Sequence, residues 1–184
     1  AIHYSHASIQ LAWLFESFED GATWPRRFSS YEARHNRHAA LRTDLLRALR
    51  EAGWSPHFVS YEEVEADKLE TDGFHTCLLP DAFALSDREA RALRVFARKP
   101  GNRLLYTGEP GVFNANGTPR SQPLFTASTQ TVEQLVAALP PPAVRLTTPG
   151  SGVCIYRFRD GPVRLFALEQ RQQGQVSDDV TAHA

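Results

Sequence analysis

The sequence predicts an α/β fold, a doubly wound and mostly parallel sheet with helices on both faces, followed by a C-terminal β-hairpin. Three observations predict it. Short apolar strands alternate with amphipathic helices of about 10 to 20 residues, the pattern of strand–helix–strand units whose right-handed crossovers return the chain to one sheet. Thr76-Cys77-Leu78-Leu79 is a continuous apolar run ended by Pro80, as in a strand buried on both faces. Asp160-Gly161, flanked by Val153 to Arg159 and Val163 to Leu168, is the dipeptide best suited to the positive φ angles of a tight hairpin turn.

The elements follow in order. Ala1 to Ser5 reads as a strand end, and a helix follows from about Ser8 to Phe18, with Ser8 as N-cap and Ile9, Trp13 and Leu14 as its apolar stripe. Glu19 to Ser30 is a loop, because Asp20-Gly21 and Trp24-Pro25 are turn signals. Between Tyr31 and Ala52 the recurrence of Leu41, Leu45, Leu49 and Ala52 predicts a long amphipathic helix, stopped by Gly53 where a left-handed residue is favoured. Pro56 to Tyr61 is a short strand, and the polar stretch Glu62 to Asp72 has room for a short helix.

After the Thr76 to Leu79 strand, Ser86-Asp87-Arg88-Glu89 is a capping box, since the Ser oxygen and the Glu carboxylate each satisfy an orphan N–H at a helix start. The helix carries Ala90, Leu93, Phe96 and Ala97 on one side and ends at Pro100-Gly101. Arg103 to Thr107 is the next strand, closed by Gly108-Glu109-Pro110-Gly111. A loop to about Ser128, a helix from Val132 to Leu139, a Pro140-Pro141-Pro142 stop and a strand from Val144 to Thr148 precede the hairpin. One domain over residues 1–169 is expected, its hairpin at 153–168, with the Gln-, Gly-, Ser- and Asp-rich residues 170–184 as a tail or linker.

Composition narrows the function. Of 184 residues, 42% are hydrophobic and 22% charged, a globular balance that excludes disordered and collagen-like classes. Twenty basic against 21 acidic residues leave a net charge of −1, too balanced for a phosphate-binding footprint, so nucleic acid is not an expected partner. No run approaches the roughly 18 apolar residues of a membrane span, and no membrane is expected. Cys77 and Cys154 stand in apolar stretches without C-x-x-C spacing, so no disulfide framework, structural metal or cofactor is expected. A bacterial cytoplasmic location fits that cysteine usage. The chain has no methionine and opens on a strand end, which points to a domain excised from a larger protein.

In a doubly wound sheet, ligands sit beyond the carboxyl ends of the strands. Those ends carry Tyr4, Ser5, His6 and Ser8; Ser60, Tyr61 and Glu62; Pro80 and Asp81; Gly108 and Glu109; and Thr148. Ser5, His6, Ser8, Tyr61, Asp81 and Glu109 form the candidate pocket. Glu109 is its sharpest position, because it occupies a strand-to-turn elbow where related architectures present a nucleophile. A carboxylate there is a base or a cation ligand in one reading and a solvated turn residue in the plainer one. His3 and His6 flank the first strand end and read as ordinary polar surface rather than as ligands. Glu32, His35 and His38 share a helix side, but Arg34 and Arg37 interleave them and oppose a cation, so a solvated face is expected. Gly150-Ser151-Gly152 lacks the spacing of a phosphate loop, and Asn116-Gly117-Thr118 is a glycosylation pattern without context. Trp24, Arg26, Arg27 and Phe28 pair loop aromatics with arginine, the composition of a protein interface or sugar platform.

The order of segments is similar to the class I glutamine amidotransferase-like (flavodoxin-like) domain of family 42 β-galactosidases, called the β-galactosidase trimerisation domain, and of related glycosidase-like proteins. The residues that carry the likeness are Ile2 to Ile9 with Trp13, Ser30-Tyr31-Glu32, Phe58 to Glu65, Leu78-Leu79-Pro80 with Ala84 to Ala90, and Pro110-Gly111, across about residues 2 to 118. In glutamine-hydrolysing relatives a Cys at the elbow attacks the amide and a late His-x-Glu pair activates it. Glu109 stands at that elbow here, and the late histidine is His183, followed by Ala184. The resemblance therefore implies a catalytically silent module that packs against other domains of a carbohydrate-active parent, forms homo-oligomers and leaves the glycosidic carboxylates to a separate barrel of about 250 residues. The competing expectation is a hydrolase or sensor of a small ligand such as a sugar, built around Glu109.

Overall fold

A computed structural model describes residues 1–16, 37–122, 124–125, 130–142, 144, 153–160 and 162–170. The fold is α/β. Strands β1 (Ile2–Tyr4), β2 (Phe58–Ser60), β3 (Thr76–Leu79) and β4 (Arg103–Tyr106) form a parallel sheet in the order β2-β1-β3-β4. Ile2, His3 and Tyr4 pair with Phe58, Val59 and Ser60 on one side, Ile2 meets Leu78 on the other, and Thr76 to Leu79 run beside Arg103 to Tyr106. The strand expected over 144–148 falls, except for Val144, outside the described residues.

Alternation along the strands decides what each face buries. Ile2 and Leu78 point to one face, where they join Leu45 and Leu49 of α2 (Arg37–Glu51) and Leu135 of α6 (Val132–Ala137). Val59, Cys77, Leu79 and Tyr106 point to the other face. There they meet Val64 of α3 (Tyr61–Glu65), Leu69 of α4 (Lys68–Thr71), and Leu93 and Phe96 of α5 (Asp87–Arg98). A short apolar strand buries both of its sides only because helices cover both, which is why the Thr76–Leu79 run carries no polar alternation.

Helix α1 (His6–Glu16) starts two residues earlier than the sequence predicts. Its cap is Ser5, whose Oγ accepts the Ser8 N–H at 3.3 Å, and Ser8 itself is inside the first turn. Two serines three apart offer the same cap chemistry, and the sheet fixes the choice by ending β1 at Tyr4. The polar stretch 62–72 divides into α3 and α4, the first closed by a Ser60/Glu63 capping box. The expected box at Ser86 and Glu89 opens α5, and Thr131 with Gln134 opens α6 in the same way.

The hairpin pairs β5 (Val153–Asp160) antiparallel with β6 (Val163–Gln170), with Asp160 opposite Val163. It is a second, separate sheet. Cys154 and Ile155 are buried at its base, and the Arg50 guanidinium lies 5.1 Å over the Tyr156 ring. Every described residue of β6 is exposed, including Leu165, Phe166 and Leu168.

Candidate functional site

Because the four strands are parallel, their carboxyl ends share one edge of the sheet. The chain leaves β1 toward β2 on one side and returns to β3 on the other, so strand order reverses between β1 and β3, the position where such sheets hold ligands. Here the chain's own backbone fills that gap. Ser5 Oγ and Ser8 Oγ lie 2.8 and 3.0 Å from Ala84 O and 2.8 Å from each other, and Ala84 N–H donates to Ser8 Oγ at 2.9 Å. Both serines are buried. Their two protons are shared among partners already in place, so neither oxygen is poised to attack a substrate.

On its far side the same segment is tied to the loop after β4. Gly111 N–H donates to Ala82 O, Phe113 N–H to Phe83 O and Leu85 N–H to Phe113 O, at 2.9 to 3.1 Å. The rings of Phe15, Phe83 and Phe113 pack over it at centroid distances of 5.7 to 6.3 Å.

The remaining candidate residues divide into two groups. His6 leans toward β2, its ring stacked on Tyr61 at 5.9 Å. The Tyr61 hydroxyl donates to Glu62 Oε1 at 3.1 Å, and this bond to a carboxylate pushes the phenol pKa up. Asp81 leans toward β4. Its backbone is left-handed (φ 47°), a conformation that Asp tolerates better than most residues, and its N–H donates to Thr107 Oγ1 at 2.9 Å. The carboxylate lies against Gly108, where a Cβ would stand 2.5 Å from Asp81 Oδ1. Glu109 is exposed in the turn beyond. Among the described residues, no hydrogen bond or ion pair joins His6, Asp81 or Glu109 to another of the three.

Two histidines differ from the expected surface positions. His38, at the start of α2, is buried, not solvated, and its Nδ1 has no hydrogen-bond partner. Burial pushes its pKa down from the ordinary 6.5, the Asp81 carboxylate draws it part of the way back, and the Arg42 guanidinium one turn along pushes it down again. Between the lowered value and 6.5 the unfolded chain binds more protons than the folded one, so stability falls as pH drops below 6.5. His38→Gln is therefore expected to lose less of its thermal midpoint than wild type between pH 6.5 and about pH 5. Equal losses in a pair of calorimetric pH series would show that His38 stays accessible to protons.

His3 is also buried. It shares a register position with Val59 and so faces α5, where its Nε2 meets Glu89 Oε1 at 2.9 Å. Glu89, 2% exposed, also accepts the Ser86 N–H through Oε2 at 2.6 Å. The Ser86 hydroxyl donates to Glu65. The sequence marked the cap but not the histidine, because a three-residue strand is too short for alternation to tell His3 from a surface residue.

The cysteines are inert as nucleophiles. Both are buried, and burial pushes the Cys77 thiol up to about 12. No group of three metal-ligating side chains occurs among the described residues, and no helix among them is long and apolar enough to cross a membrane. The candidate interface of Trp24, Arg26, Arg27 and Phe28 lies outside the described residues, as do Glu32, His35, Thr148 and His183. No family model, curated protein or solved structure matches the chain.

Proposed function

We propose that the chain is a non-catalytic, class I glutamine amidotransferase-like (flavodoxin-like) module of a larger carbohydrate-active, β-galactosidase-like protein, serving domain packing and self-association. The observation that carries this reading is the gap between β1 and β3, closed by the hydrogen bonds of Ser5 and Ser8 to Ala84. A strand-end crevice that is filled with main chain has no room for an amide substrate. The strand order β2-β1-β3-β4, the acid in place of a thiol at the elbow and the two buried cysteines agree with a silent copy. The hairpin agrees with a packing role, since Leu165 and Leu168 are 57% and 66% exposed and a two-stranded hairpin with wet apolar faces gains stability from cover.

The purified chain is expected to release no ammonia from glutamine and no nitrophenol from nitrophenyl galactosides, and Glu109→Gln to change neither. Light scattering is expected to give more than one copy per particle, and Leu165→Ser with Leu168→Ser to return monomers. Turnover abolished by Glu109→Gln would reject the module reading, and a monomeric wild type would remove self-association from it.

One arrangement favours a second reading, a sensor or hydrolase of a sugar at the strand ends. Buried His38 is within electrostatic reach of Asp81, whose carboxylate rests on Gly108, next to Glu109. Galactose-dependent NMR shifts confined to these four positions would favour it over the silent module.

A further inference from the structure

Helix α5 turns Ala90, Leu93 and Phe96 into the core and four exposed arginines outward. At about 3.6 residues per turn, Arg88, Arg91, Arg94 and Arg98 fall within about a third of the circumference, opposite the buried side, and at about 1.5 Å per residue they span about 15 Å. Val95, 45% exposed, stands among them. We propose that this face docks an acidic helix of a partner protein, its carboxylates on the arginine stripe and one of its apolar side chains in a hollow beside it.

The acids around α5 are each taken by another group. Asp87 Oδ1 accepts Arg120 Nη1 at 2.6 Å, and Glu70 pairs with Lys99. Glu89 turns inward to His3, and Glu65 accepts the Ser86 hydroxyl. Arg88, Arg91 and Arg98 are consequently left without an ion pair among the described residues, and Arg94 reaches only a main-chain oxygen, that of Leu124, at 3.3 Å. Four guanidinium groups in a row repel one another until an anion spaces them, and the planar fork of each matches a carboxylate.

Beside the stripe lies an open hollow of about 420 Å³, lined by Leu104, Tyr106, Leu124 and Phe125 together with Arg94 and Arg98, and without an acid. Arginines alone accept phosphates as well as carboxylates. The apolar hollow, the valine within the stripe and the chain's net charge of −1 favour a peptide over a nucleic acid. A helix that matches the stripe presents acids about one turn apart, with an apolar residue beside them for the hollow.

Self-association through the hairpin neither requires this face nor excludes it, so the two are tested separately. The test is an NMR titration of the whole chain with a synthetic helical peptide that carries four glutamates at the spacing of the arginines and one phenylalanine beside them. The expected result is saturable binding at or below about 1 mM at low salt, with shifts along Arg88 to Lys99 and at Leu124 and Phe125. Arg91→Gln with Arg98→Gln, both at exposed positions, should weaken binding about tenfold, whereas Arg47→Gln, on α2 and already paired with Asp44, should leave it unchanged. Alanine in place of the peptide's phenylalanine should weaken it about tenfold as well. The proposal is overturned by a glutamine-for-glutamate peptide that binds as tightly, by an equal loss in Arg47→Gln, by tighter binding of a single-stranded oligonucleotide of the same charge, or by no saturation at about 10 mM.

Discussion

Glu89→Ala is expected to lower the unfolding free energy by about 2–6 kcal/mol, the cost of leaving two buried polar groups without a partner at about 1–3 kcal/mol each. Against a total of about 5–15 kcal/mol for an ordinary domain, that brings the chain close to its folding threshold. Two groups are orphaned at once. His3 Nε2 loses its 2.9 Å partner in a place where Nδ1 already has none, and Ser86 N–H loses the carboxylate at 2.6 Å. Glu89→Gln separates the two losses, because an amide oxygen can still accept from Ser86 while the charge is gone. The His3→Leu, Glu89→Leu double variant is expected to regain part of the loss, since removing both polar partners leaves neither side chain unsatisfied. What it does not regain is the second half of the helix cap, about 1 kcal/mol. Urea unfolding of the three variants measures this, and a Glu89→Ala loss below about 1 kcal/mol would mean that water reaches His3.

That pair marks the boundary between what was legible in the sequence and what was not. The Ser86–Glu89 cap rests on a three-residue spacing, and it is found where expected. The second oxygen of the same carboxylate goes to a histidine 86 residues away, a contact that no local spacing encodes. His38 repeats the lesson, since its interleaving with arginines describes a helix surface, whereas its burial depends on tertiary packing that local spacing does not encode. The closing of the gap by Ser5 and Ser8 depends equally on a segment about 80 residues downstream, although both serines were visible as strand-end polar groups. The parallel sheet was legible because Thr76 to Leu79 is short, apolar and unalternating. The hairpin was legible in Asp160-Gly161, but its turn chemistry carries no information on what covers β6, and β6 is exposed throughout. The caps at Ser60/Glu63 and Thr131/Gln134 were local signals of the same kind as Ser86/Glu89 and readable by the same rule.

Gly53→Ala is expected to cost about 2–5 kcal/mol, because it adds a steric conflict to a backbone penalty. Gly53 ends α2 with φ at +90°, its N–H donating to Arg50 O and the next N–H, of Trp54, donating to Leu49 O. This is the two-bond helix stop in which a left-handed residue satisfies the last carbonyls. Gly73 ends α4 in the same way, with φ at +72° and bonds from Gly73 to Glu70 O and from Phe74 to Leu69 O. The two sites differ in what an added Cβ would meet. At Gly73 nothing lies within 4 Å, whereas at Gly53 the backbone oxygen of Val144 stands 2.1 Å away. Gly73→Ala is therefore expected to cost only the left-handed penalty of about 1–2 kcal/mol. The difference between the two variants in urea unfolding isolates the contact with Val144, a backbone atom that cannot rotate aside as a side chain would. Val144 belongs to the stretch between α6 and β5, so the conflict at Gly53 should also loosen the base of the hairpin. Faster amide exchange at Cys154 and Ile155 in Gly53→Ala, but not in Gly73→Ala, is the expected sign. Equal costs for the two substitutions would mean that the Val144 stretch yields and that α2 does not hold the hairpin in place.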